Sequence, residues 1–186
     1  VLEPEAPLGE SNGYVALEAF NIPMQVTAIT HKRSPVFAQI ISQVTPSESS
    51  VIKKVAYEPM FLAHLKQQMG VKGILRVVMH ERLTNLRPVI FLQFAANTPR
   101  SEVWRGLNGA ATLQSNCGKI VIAVSEDIDP QSMDAVMWSL AYRSNPVDDM
   151  HIMPHRGGVQ GAQYSGNKTD SGLLVDATRK RPMPPL

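Results

Sequence analysis

Two glutamates close to the start of the chain are the residues best placed to move a proton. In Glu5-Ala6-Pro7-Leu8-Gly9-Glu10 the carboxylates stand five residues apart, on a segment stiffened by Pro7 and turned at Gly9. A loop of this kind can aim both acids into one pocket. Two carboxylates held together in an apolar site repel, so one keeps its proton to higher pH and can serve as a general acid. The same pair in a solvated terminal loop would carry no chemistry, and the residues alone leave both readings open.

The other reactive side chains form no recognisable constellation. His31, His64, His80, His151 and His155 show no metal-binding spacing, and each reads as structural or solvated. Cys117, the one cysteine, lies just before an apolar run; with no base nominated to activate it, it reads as inert packing. The chain has no phosphate-binding GxxxxGK[ST], no GxSxG elbow and no GxGxxG after a strand.

The elements that must position these groups read as follows. Residues 1–23 are loop-rich. Met24 to Thr30 and Val36 to Val44 alternate as strands and could close a hairpin, but two strands need further partners, so they should belong to a sheet completed elsewhere. Ser47-Glu48-Ser49-Ser50 starts a helix that is interrupted near Pro59 and capped at Gly70. Ile74 to Met79 and Val89 to Phe94 read as strands. Thr98-Pro99 supplies an N-cap and first-turn proline for a helix with Val103, Trp104 and Leu107. Ile120 to Val124 is a strand buried on both faces. Asp129-Pro130 starts another helix, whose Met133, Val136, Met137 and Leu140 form a core stripe, and His151 to Met153 is a last short strand. Strands alternating with helices predict a layered α/β domain. From His155 onward the pattern dissolves into a glycine-containing stretch with one apolar anchor, Leu173 to Ala177. It reads equally as a tail docked on a neighbouring domain or subunit and as a disordered end.

Composition bounds the function. With 186 residues, 44% hydrophobic and 18% charged, the chain is not a mainly disordered one. A net charge of +2 and a basic run confined to Arg179-Lys180-Arg181, without interleaved aromatics, argue against nucleic acid. No stretch has the length of a membrane span and no signal peptide is visible, so no membrane partner is expected; the lone thiol fits a reducing, cytoplasmic compartment. The chain begins Val1-Leu2 without an initiator Met, which suggests a processed or truncated product.

Four segments, in order, carry a family resemblance. Glu5-Ala6-Pro7-Leu8-Gly9-Glu10 with Gly13-Tyr14 resembles the E-G-P-F-G-E-x-x-G-Y segment of UbiD-family decarboxylases. Thr27 to Pro35 resembles the strand and turn that follow it. Glu126 to Asp129, then Val136 to Leu140 and Arg143, is similar to the acidic turn and helix of the family's C-terminal domain, and Asp176 to Lys180 to its tail.

The resemblance implies a lyase. It would carry out non-oxidative, reversible decarboxylation of an aromatic, heteroaromatic or α,β-unsaturated carboxylic acid with prenylated FMN. That cofactor would be held with Mn2+ (or Mg2+) and K+, by residues mostly upstream of this chain, leaving no metal ligand here. Residues 1–45 would be the last strands of a split β-barrel flavin-binding domain, 46–154 the C-terminal α/β domain used for oligomerisation, and 155–186 an extended tail. By position Glu10 would be the proton donor, and Glu5 the acid paired with an upstream arginine. Ala6 and Leu8 depart from the commonest family residues, which bears on substrate shape. The partners implied are the acid substrate, the upstream part of the enzyme, and further copies in a homodimer or higher homo-oligomer. The chain by itself would be inactive. The competing expectation is a non-catalytic assembly subunit of a UbiD-like complex.

Overall fold

The structure, a computed structural model, describes residues 22–39, 45–80, 87–157 and 169–180, together with the backbone of two short strands, β1 (Leu8–Gly9) and β2 (Val15–Ala16), paired antiparallel. The α/β expectation holds. A five-stranded mixed sheet carries helices on both faces, with strand order β3-β4-β5-β7-β6. Its strands are β3 (Ile74–Met79), β4 (Val89–Phe94), β5 (Ile120–Ser125), β6 (Met150–Gly157) and β7 (Thr169–Ala177). β4, β5 and β7 run parallel, and β3 and β6 close the edges antiparallel.

Helix α1 (Glu48–Ala63) begins as the serine cluster predicts. The Ser47 hydroxyl accepts from the Ser50 amide, and the Ser50 hydroxyl accepts from the Ser47 amide, a reciprocal cap. Pro59 does not interrupt it. The helix runs through the proline and widens only afterwards, into a π-helical turn at His64–Gln68. Gly70, at φ +64°, ends the helix, and the Val71 amide returns to the Leu65 carbonyl.

Two further helix starts lie later than expected. α2 (Arg100–Leu113) has Pro99 as its N-cap, and Thr98 turns its hydroxyl back to the Ala95 carbonyl instead of capping. Asp129-Pro130 makes a turn in which the Asp129 carboxylate accepts from the Gln131 amide. The Ser132 hydroxyl then caps α3 (Met133–Arg143). A single turn, α4 (Pro146–Asp149), leads into β6.

α1 and α2 pack on one face of the sheet, around Phe61, Leu65, Leu107, Phe94 and Ile90. Gly106 lets α2 approach closely, since a Cβ there would stand 2.7 Å from the Phe94 ring. α3 covers the other face through Val136 and the partly buried Leu140, against Phe91, Ile122 and Val175. The expected methionine core stripe is corrected. Met133 and Met137 are exposed, as are Trp138 and Tyr142, because α3 turns Val136 and the small Ser139 inward, and the Ser139 hydroxyl donates to the Ala177 carbonyl at 2.6 Å.

Two more readings change. Residues 22–39 form no ladder among the described residues, and Ile22, Met24, Ile29, Val36 and Phe37 are exposed; the rest of the second expected strand, 40–44, lies outside the described residues. Strand-like alternation without a neighbour to pair has no means of satisfying its backbone as sheet. The apolar anchor Leu173–Ala177 is no docking tail: it belongs to β7, an interior strand, so the sheet extends past residue 154 to Ala177.

Candidate functional site

Glu5 and Glu10 lie outside the described residues. In the chain Glu10 follows directly on β1, whose register is Leu8 with Ala16 and Gly9 with Val15.

Within the described residues, ionisable groups converge at the carboxyl ends of the parallel strands. Chain polarity brings this about: β4, β5 and β7 all end there, and the turn after β4 leads into the N-terminus of α2. The cleft has a volume of about 640 Å³. Such a crevice is where open α/β sheets commonly bind ligands.

Two buried carboxylates form its floor. Asp176, at the end of β7, is fully buried. Its Oδ1 accepts from the Thr178 hydroxyl at 2.6 Å and the Thr178 amide at 3.0 Å, and pairs with Lys180 Nζ at 3.0 Å. Asp149, ending α4, accepts from Arg100 Nη2 at 2.8 Å on Oδ1 and from the Asn145 amide at 2.8 Å on Oδ2. Lys180 Nζ reaches Asp149 as well, at 3.4 Å, so the two cations bridge both acids. Buried carboxylates require this kind of pairing. Asp176 Oδ2 is the exception. It accepts no hydrogen bond among the described residues, and Arg100 Nε lies 3.8 Å from it.

The acidic turn after β5 borders the cleft. Gln93 donates its side-chain amide to the Glu126 and Ile128 carbonyls, and the Glu126 carboxylate accepts from the Ala96 amide. Asp127 takes both arms of Arg143, at 2.9 and 2.7 Å, and Arg179 Nη2 at 3.0 Å. Those hydrogen bonds from Arg143, aided by its charge and that of Arg179, hold the Asp127 carboxyl below the usual carboxylate range against a smaller opposing effect of burial.

At the opposite end of the strands, Arg156 is buried among backbone carbonyls. It donates to Ala111, Ser115, Cys117 and Gly118. Burial lowers its pKa, opposed by the charge of Asp170. Cys117 is buried too, and burial pushes its thiol up, which fits inert packing. No group of three His, Cys, Asp or Glu among the described residues could hold a metal ion, and no described helix is long and apolar enough to cross a membrane. Sequence reasoning overlooked Arg100, Asp149 and Arg156. It found Asp176 and Lys180 only through the family segment.

This topology, ending at an acid-rich cleft beneath Asp176 to Lys180, is that of a known domain class. Residues 50–177 match the model of the 3-octaprenyl-4-hydroxybenzoate carboxy-lyase C-terminal domain. The chain belongs to this UbiD family. An uncharacterised protein of Archaeoglobus fulgidus is 24% identical over 178 residues, 95% of this chain and 36% of its own length. A phenolic acid decarboxylase of Streptomyces sp. (strain D7) is 36% identical over 61 residues, 31% of this chain and 12% of its own. Among solved structures, the UbiD-class enzyme HmfF from Pelotomaculum thermopropionicum, in complex with FMN, superposes with a TM-score of 0.85 at 25% identity, covering 99% of this chain and 40% of that one. The vanillic acid decarboxylase of Sedimentibacter hydroxybenzoicus, at 20% identity and TM-score 0.77, shares the fold. The chain thus spans about 36% of the Archaeoglobus relative's length and 39–40% of the two solved chains.

Proposed function

We propose that this chain is the C-terminal part of a decarboxylase acting on an aromatic, heteroaromatic or α,β-unsaturated carboxylic acid, with Glu10 as proton donor. The observation that carries the reading is the family match over residues 50–177, joined to the Glu5–Glu10 segment, which keeps both acids at the family's spacing. The likeness to an FMN-bound UbiD-class enzyme supports a flavin, and the family resemblance specifies prenylated FMN. When bound, that cofactor accepts the electrons released with carbon dioxide.

In this reading the metal and flavin ligands come from the upstream part of the enzyme, as the family resemblance implies. The contribution of this chain is the acid. Glu10 delivers a proton to the carbon that lost its carboxylate, and Glu5, through an upstream arginine, sets the charge around it. Residues 1–45 then close the flavin domain, and the α/β sheet beyond residue 46 serves assembly into a homo-oligomer. Both loops and sheet act in a cytoplasmic enzyme whose isolated C-terminal part has no turnover.

Glu10→Gln in the complete enzyme tests this. Glutamine keeps size and one acceptor oxygen but brings no proton, and a general acid contributes about 100- to 10,000-fold in rate. Turnover should fall by that order while flavin content and melting temperature stay unchanged. Near wild-type decarboxylation in the variant would remove Glu10 from the reaction.

A further inference from the structure

We infer that the outward face of α3 is a contact between two copies of this chain, with the two helices antiparallel across a two-fold axis that passes between Met137 and Trp138. The inference rests on the assembly role proposed above and names its surface.

The face is one continuous stripe. Met133, Asp134, Met137, Trp138, Ala141 and Tyr142 are all exposed, at the spacing of a single side of a helix. Asp134 is its one charge. A helix face that meets water is ordinarily charged and polar, so this one is built for a different neighbour. Its aromatic end is also held in place. Arg143, anchored by Asp127, stands 4.8 Å from the centre of the Trp138 ring, and the Tyr142 ring lies 5.5 Å from that of Trp138. Large side chains ordered in advance lose little freedom on docking, and Trp and Tyr commonly dominate contact energies.

Reciprocity selects a second copy as the occupant. In a two-fold contact, when one residue meets another, the second also meets the first. With the axis between 137 and 138, Met133 of one copy meets Tyr142 of the other, and Met137 meets Trp138. Asp134 meets Ala141, whose small side chain leaves the carboxylate a path to water. Each large apolar group of the stripe thus gains a large apolar partner, and the two helix dipoles oppose. Ile152 extends the patch: it is exposed, and it shares a sheet face with Met150, two residues before it, which packs against the core under α3. Each copy then offers roughly 500 Å², and two copies about 1,000 Å², the size at which a specific interface holds. The upstream part of the enzyme is the other possible occupant, but the chain enters this domain through α1, on the opposite face of the sheet.

The test uses the complete enzyme, co-expressed in two differently tagged versions, one carrying Met133→Cys and the other Tyr142→Cys. Mild oxidation should join the two versions through residues 133 and 142, as peptide mapping would show. Neither version should link to itself through its new cysteine, because like positions lie at opposite ends of the paired helices. Separately, Met137→Glu brings two carboxylates close to the axis and should weaken the contact at least about 100-fold in sedimentation equilibrium. Should that variant fail to fold, the cysteine pair at exposed positions still decides. A Met133→Cys version that links to itself, or an unchanged dissociation constant for Met137→Glu, would overturn the proposal. So would a link from either cysteine to an upstream thiol of its own chain, which would give the face to the upstream part. In those three cases the unaltered enzyme is still an oligomer and the assembly role stands; a monomeric unaltered enzyme removes both.

Discussion

Arg156 shows how much one side chain can hold together. His155 before it adopts φ +55°, a left-handed conformation costly for any residue but glycine, at the point where the β6–β7 register shifts. That bulge turns the guanidinium inward, onto carbonyls at the end of α2 and in the loop before β5. Gly172 opposite leaves room for it, since a Cβ there would lie 3.1 Å from the Arg156 side chain. Arg156→Met should therefore cost on the order of 3 kcal/mol, because buried carbonyls lose a charged donor without gaining water. Urea unfolding would report this as a lower midpoint at unchanged slope. A change under about 0.5 kcal/mol would mean that the carbonyls find other partners. Nothing near Arg156 in the sequence announces the role. Its acceptors lie about forty residues upstream, and the adjacent Gly157-Gly158 points towards flexibility. Glu5 and Glu10 are the opposite case: their spacing is local and legible in the sequence, and they lie outside the described residues.

Among elements, legibility followed the range of the determining contacts. β4 reads as a strand from its run of apolar residues, β5 is so wholly apolar over Ile120 to Val124 that composition alone marks burial on both faces, and α1 carries its own cap in Ser47 and Ser50. β7 was missed because its parallel partner, β5, lies some fifty residues earlier and its first half, Thr169 to Gly172, has no apolar alternation. In α3 the helical period was clear, but the buried face was set by Ser139 reaching Ala177, so the methionines turned outward. The acidic turn ties α3 to the segment after β7: Asp127 joins Arg143 to Arg179. Because the hydrogen bonds from Arg143 hold its carboxyl below the unfolded value, folding favours the ionised form. The resulting stability is complete above the unfolded Asp value, about 3.9, and is lost as pH falls through the lower, folded value. Asp127→Asn should cost less than about 1 kcal/mol at pH 7, since the pair is partly exposed. It should also flatten the acid limb of melting temperature against pH. An acid limb as steep as that of the unaltered chain would assign the acid sensitivity to other carboxylates.

For the whole molecule, the exposed apolar side chains of α3 and α1 set the expectation. Met133, Met137, Trp138 and Tyr142 on one helix, with Val51, Ile52 and Val55 on the other, are surfaces that soluble monomers seldom leave open together. The complete enzyme should be oligomeric at micromolar concentration; a monomer by light scattering would remove the assembly role proposed for this sheet.

β7 also carries a cost in time. It is the last strand among the described residues, yet it lies inside the sheet between β5 and β6. A ribosome adding about 5–20 residues per second needs roughly 3–10 s between finishing Ser125 and delivering Ala177. Throughout that interval one edge of β5 has no neighbour, and such edges invite pairing with other chains. Nascent copies should therefore need shielding late in translation. A version stopped before Thr169 should accumulate as aggregate, as fractionation of soluble and insoluble product would show; a soluble, cooperatively melting product of that length would mean that the sheet closes without its final strand.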